Sequence, residues 1–304
     1  MAQNDSSSLD TRYGLAVDIL VKGDIKNAID EFEELSMVGY KKADVELARL
    51  FVRAEFIKPD YTVGCKYAQS AHDAGFPKGT LELAKCYEKG VAEYKLNSKK
   101  AASLYRLAFE KGNLESFTLE LYNLDSNLEK PIRALAEKSQ FFSQLADGSR
   151  KTSVVEILKM ADAVPRARAL LSSNDARDLV QAANFLDMLF QTHDNNSKEY
   201  PFDSLVEDFD ALPAEIMIAL QRSVDQGYAK ASFDLGKAEH WKEFPDYDLV
   251  VRHYLNAMSK GLLRAVSLLS YRDIPRAAIL RNKNIAPEGT DIFVYINNVR
   301  DKYL

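Results

Sequence analysis

Cysteine, histidine and tryptophan are scarce in this chain of 304 residues, with two, four and one respectively. Two cysteines, Cys65 and Cys86, are too few for a disulfide framework and give none of the paired spacings of a zinc site. They fall on neighbouring predicted helices at similar distances from a turn near Pro77, so a bridge is geometrically open, but two buried free thiols are the expectation. The histidines His72, His193, His240 and His253 show no H-x-x-x-H or H-E-x-x-H arrangement, and His72 reads as a helix-face residue.

An excess of positive charge is also missing. The 40 basic and 45 acidic residues are interspersed and sum to -5, which leaves no broad cationic surface for a phosphate backbone and argues against nucleic acid as a partner. Long apolar runs are absent too: stretches such as Ala211 to Pro213 and Ile216 to Leu220 are far short of the ~20 residues that cross a bilayer. The start, Met-Ala-Gln-Asn-Asp-Ser-Ser-Ser, lacks a charged n-region and an apolar h-region, so a signal peptide is not expected as written. Two readings stay open: a cytoplasmic protein, or a mature exported form whose polar residues 1–10 are a disordered tether.

The acidic runs Asp30 to Glu34 and Glu207 to Asp210 read as solvated helix faces. Glycine-rich phosphate loops need several backbone amides within a few residues, whereas these glycines lie a whole hairpin apart. No nucleophile and base stand at a telling spacing, so the chain is expected to be non-catalytic, with no cofactor and no metal.

What is present is a repeat. Glycines recur at Gly39, Gly75, Gly112 and Gly148, then at Gly227 and Gly261, at intervals of 36, 37, 36, 79 and 34 residues. Four residues after each stands a small residue: Ala43, Gly79, Ser116, Thr152, Ala231 and Ala265. Eight after stand Leu47, Leu83, Leu235 and Leu269, each followed by a small residue, while the Gly112 and Gly148 units depart with Glu120 and Glu156. Seven before stand Phe32, Tyr105, Phe141, Leu220 and Tyr254, with Ala68 as the small exception. Apolar residues at i, i+3, i+4 and i+7 make one stripe on each of two helices per unit. Helix B runs into the glycine, which ends it in a left-handed conformation, and helix A of the next unit begins about four residues later. One hairpin cannot bury both stripes, so hairpins must stack.

The clearest unit, Gly79 to Gly112, carries Leu83, Ala84, Tyr87, Gly90-Val91, Lys100-Ala101, Tyr105, Ala108 and Gly112. This pattern resembles the Sel1-like repeat family, a relative of the tetratricopeptide repeat with a longer loop between helices A and B. The unit from Tyr228 to Gly261 matches it more loosely, through Ala231, Leu235, Gly236, Tyr254 and Ala257. The first unit, Leu20 to Val52, has a short Gly23-Asp24 turn and a Gly39-Tyr40 join, which is similar to the start of AlgK-type periplasmic scaffold proteins of alginate export. That family's lipidated cysteine has no counterpart before Cys65, so anchoring is not expected as written.

The resemblance implies an all-α, right-handed superhelical solenoid of seven or eight helix pairs over 11–304. It degenerates at 149–226, where helices are expected at about Ser153 to Ala163, Asp175 to Gln191 and Pro213 to Gln226, with "HDNNSK" at His193 to Lys198 as a polar surface loop. A capping helix is expected at about 290–303, with Thr290 or Asp291 as its N-cap. Five aromatics in loops, Tyr61, Tyr94, Trp241, Phe244 and Tyr247, are not demanded by the repeat and are candidate partner contacts, with loop packing as the competing role. The expected function is a scaffold for other proteins. The resemblance narrows it to a periplasmic exopolysaccharide assembly containing an outer-membrane porin and polysaccharide-modifying proteins. A regulatory adaptor for a signalling partner and a polysaccharide-binding module are the alternatives.

Overall fold

A computed structural model describes residues 2–113, 115–116, 162–196, 202–269 and 274–303. Gly148, Thr152, Phe141, Glu120, Glu156 and most of the helix expected at Ser153 to Ala163 lie outside the described residues. Among the described residues every regular element is helical. The helices are α1 Ala2–Val21, α2 Ile25–Met37, α3 Lys41–Arg53, α4 Tyr61–Asp73, α5 Pro77–Lys89, α6 Ser98–Glu110, α7 Ala163–Leu171, α8 Ala176–Asn196, α9 Leu212–Asp225, α10 Ala229–His240, α11 Tyr247–Ser259, α12 Ala265–Leu269, α13 Arg276–Arg281 and α14 Ile292–Tyr303. Consecutive helices pair: α1 with α2, α2 with α3, α5 with α6, α7 with α8, and α10 with α11. Among the described residues no helix is long and apolar enough to cross a membrane.

The repeat glycines act as chain reversals of one type. Gly39, Gly75, Gly112, Gly227 and Gly261 have φ of +84°, +86°, +97°, +90° and +85°. At each, the next residue's N–H donates back five positions to the ending helix, as in Tyr40 to Leu35 O (3.0 Å), Phe76 to Ala71 O (3.0 Å), Asn113 to Ala108 O (2.9 Å), Tyr228 to Ser223 O (3.1 Å) and Leu262 to Ala257 O (3.0 Å). This closure satisfies carbonyls that a helix end otherwise leaves without an intrahelical donor. The small residues that follow, Ala43, Gly79, Ser116, Ala231 and Ala265, are all buried. At Gly79 the reason is direct: a Cβ there would sit 2.3 Å from the Ala71 Cβ, so α4 and α5 cross in near contact of backbones.

Bulky partners fill what the small residues leave. Phe32, Tyr105, Leu220 and Tyr254 are buried, as are Ala68, Ala71, Ala108, Ala257 and Leu35. Removing each large apolar side chain from water contributes roughly 1.5–3 kcal/mol, so these buried repeat positions stabilise the packing of the helices.

Three expectations require correction. Cys65 and Cys86 are joined by a disulfide, with their Cα atoms 6.0 Å apart, because the close crossing of α4 and α5 brings both buried sulfurs together. Residues 1–10, expected to be a disordered tether, are helical from Ala2 onward. The end of this segment is held by partners on the following helices: Asp10 accepts from the Tyr40 hydroxyl and from Lys42 Nζ (2.8 Å) at the start of α3, and Arg12 Nε donates to Glu31 Oε2 (2.9 Å) on α2. The "HDNNSK" segment is helical through Asn196 as the last part of α8, where the His193 ring packs edge-on against Phe209 at 4.6 Å.

The chain divides into two compact units, Cys65–Ala219 and the pair Met1–Gly64 with Leu220–Leu304. The repeat spacing predicts one array over 11–304; the second of these units is built from both ends of that array. At the C-terminal end Asp291 caps α14 by accepting from the N–H groups of Phe293 (2.9 Å) and Val294 (3.1 Å).

Candidate interaction surface

Helix A also carries a charge pattern, interleaved with its small and bulky positions. Three, seven and ten residues after the glycine stand Lys42, Glu46 and Arg49 in the first unit, then Lys78, Glu82 and Lys85, then Lys230, Asp234 and Lys237. The signal was present in the sequence, since base, acid and base recur at fixed offsets from Gly39, Gly75 and Gly227.

Each of the three acids is buried, and a buried carboxylate needs a partner to offset lost hydration. Glu46 accepts from the Tyr13 hydroxyl (3.0 Å) and from Arg49 Nε (3.3 Å). Glu82 has Lys85 Nζ at 3.6 Å, and Lys85 also approaches Glu115 at 3.8 Å. Asp234 pairs with Lys230 at 3.1 Å. Burial opposes the charge on Lys230, yet Asp234 first, then Glu55 and Tyr228, hold its ammonium well above the ordinary lysine range. Helix A is thus half-polar by design of the repeat. Its bases Lys42, Lys78 and Lys237 remain largely in solvent.

The five predicted aromatics separate. Tyr94 is 9% exposed, donates to Cys65 O (3.3 Å) and meets the Tyr87 ring edge-on at 5.1 Å, so the α5–α6 loop uses it for its own core. Burial holds its phenol above the ordinary range. The same loop exposes Leu96 instead, an aliphatic residue with no aromatic signal in the sequence. Tyr61 is half-buried at the start of α4.

Trp241 and Phe244 lie in the α10–α11 loop, and Tyr247, expected in the loop, is the first residue of α11. Trp241 is 62% exposed and Phe244 84% exposed, while Tyr247 is half-buried. Their frame is packed and hydrogen-bonded. The Trp241 ring stacks on His240 with centroids 4.9 Å apart and an interplanar angle of 6°, and Tyr247 meets His240 edge-on at 6.1 Å. His240 is buried and lies 3.0 Å from the Tyr254 hydroxyl through Nδ1. Glu239 closes the loop by accepting from the Asp246 N–H (3.0 Å) and from Lys242. Burial pulls its carboxyl upward, but those two donors outweigh it and hold it below the ordinary range. Asp246 in turn caps α11 by accepting from the N–H groups of Asp248 (3.0 Å) and Leu249 (3.2 Å).

Among the described residues no group of three or more His, Cys, Asp or Glu is placed to hold a metal ion. His72 stands with Nδ1 2.9 Å from Thr80 Oγ1, joining α4 to α5, and burial pushes its imidazole below the ordinary range. That arrangement fits a packed helix face.

No protein-family pattern matches the chain, and no curated protein matches it. Solved structures do. A Sel1 repeat protein from Oxalobacter formigenes is similar over 95% of this chain and 99% of its own, at 14% identity and a TM-score of 0.35. An immunity protein from Pseudomonas aeruginosa is similar over 87% of this chain and 82% of its own, at 14% identity and a TM-score of 0.40. A protective antigen with an SLR fold, present in uropathogenic Escherichia coli strains, is similar over 97% of this chain and 69% of its own, at 15% identity and a TM-score of 0.36.

Proposed function

We propose that the chain is an interaction scaffold whose loops between helices A and B hold partner proteins, with Trp241 and Phe244 as the anchors. The observation that carries this reading is the exposure of two large aromatics on a loop whose own frame is buried and hydrogen-bonded. Aromatic anchors presented rigidly bring contact area at low entropic cost.

A second observation supports a reading of the compartment. A disulfide such as Cys65–Cys86 persists in oxidising surroundings, including the bacterial periplasm. This supports the narrower reading suggested by the first unit: a periplasmic part of an exopolysaccharide export or modification complex, with a porin and polysaccharide-modifying proteins among its partners.

Fractionation combined with cross-linking in the native host tests both levels. The scaffold reading expects discrete cross-linked partners that disappear in the Trp241→Ala/Phe244→Ala double variant. The periplasmic reading expects the protein in the periplasmic fraction with oxidised cysteines. Cytoplasmic residence with both thiols reduced overturns the second, and cross-links indifferent to the double substitution overturn the first.

A further inference from the structure

The unit formed by Met1–Gly64 and Leu220–Leu304 joins segments separated in sequence by all of Cys65–Ala219. Two independent sets of contacts make the join. In the first, left-handed turns meet backbone to backbone. A Cβ on Gly23 would lie 2.7 Å from Lys260 O, and one on Gly261 would lie 3.1 Å from Ile25 Cγ1 and 3.5 Å from Gly23 O. A Cβ on Gly227 would lie 3.8 Å from Lys260 Nζ and 3.9 Å from Val21 O. Here glycine serves both φ and close approach.

The second set is a chain of alternating charge. Glu46, Arg49 and Glu55 come from the first segment, and Lys230 and Asp234 from the second. Arg49 bridges Glu46 (3.3 Å) and Glu55 (3.7 Å), and Lys230, attracted by Glu55, pairs with Asp234 (3.1 Å). The Arg264 N–H approaches Glu55 O at 3.5 Å, and its guanidinium lies 5.8 Å from the Phe233 ring centroid. Arg49 is 87% buried by side chain, its Nη2 has no hydrogen-bond acceptor among the described residues, and its guanidinium lies 5.9 Å from the Phe56 ring centroid. Removing one member strands an opposite charge out of water, so the members hold or fail together.

In an open array each repeat touches only its neighbours in sequence, and coupling fades along the chain. We propose that the glycine junction and the Glu46–Arg49–Glu55–Lys230–Asp234 chain form a latch that makes the first hairpins and the repeat at 227–261 open and close as one element. A partner seated on either segment then stabilises the other, because coupling between sites is reciprocal.

Hydrogen exchange on the full chain tests this, with one variant in each contact set. Lys230→Met is expected to speed exchange about tenfold in Ile25–Met37 and Lys41–Arg53 as well as in its own helix, leaving Pro77–Lys89 unchanged. Gly23→Ala is expected to do the same in Tyr247–Ser259, far from it in sequence. Acceleration confined to the helices flanking each substitution overturns the proposal. If Lys230→Met does not fold, the Gly23→Ala result at Tyr247–Ser259 decides alone.

Discussion

Gly236 lies so close to the Tyr254 ring that a Cβ at 236 would stand 2.6 Å from Cε1. The contact sets the spacing of α10 and α11, and with it the position of the loop that bears Trp241 and Phe244. Gly236→Ala gains about 1 kcal/mol of helix propensity. Against that, forcing a methyl into a filled core costs typically 1–3 kcal/mol. The net expectation is a lower urea midpoint. An unchanged midpoint means that the Tyr254 ring yields.

Gly39 makes the contrasting case. A Cβ there meets nothing within 4 Å, yet φ is +84°. Gly39→Ala therefore pays only backbone strain, roughly 1–2 kcal/mol. Its destabilisation should survive removal of neighbouring side chains, whereas that of Gly236→Ala should shrink when Tyr254 is made smaller.

Opening the Cys65–Cys86 bridge frees a segment with a sequence separation of 21. The loop-entropy relation puts the loss near 3 kcal/mol. Thermal melts with and without reductant should differ by several degrees. Because both cysteines are fully buried, reduction should be slow in the native state and fast once unfolding begins.

The loop also has a predicted acid response. Glu239 has a folded pKa below its unfolded value, so its contribution is present above the ordinary carboxylate range, about 4.3, and is lost as pH falls through the lowered folded value. Trp241, the only tryptophan, reports on this loop directly. Its fluorescence should shift on acidification below about pH 4.3, and Glu239→Gln should remove that step. An identical titration in the variant refutes the assignment.

Trp241→Ala and Phe244→Ala should each change stability by less than about 0.5 kcal/mol, as exposed positions do. Their effect belongs in binding. A large loss of stability in either variant would assign these rings to the fold.

Helix identity and the unit boundaries were legible because helix endings depend on local chemistry. A glycine that adopts positive φ, followed four residues later by a small side chain, states the turn at Gly39 or Gly75 without reference to anything distant. The helical stripes through Phe32 and Leu35, or Tyr105 and Ala108, are local in the same way. Trp241 and Phe244 stood out for the same reason, as large aromatics where the repeat asks for none. Tyr94 looked identical to them by that rule and proved to be core, since loop residues of equal composition differ only in where the loop folds back.

What the amino-acid order determined alone was therefore the hairpin, its punctuation and its period. Tertiary structure decided the Cys65–Cys86 bridge, the helical residues 2–10 and the pairing of Arg49 and Glu55 with the segment holding Lys230. Each of these depends on distances between residues on different helices. Such distances are set by how closely Gly79 lets α4 approach α5, or Gly23 lets the α1–α2 turn approach Lys260, and become known only when the backbones have met.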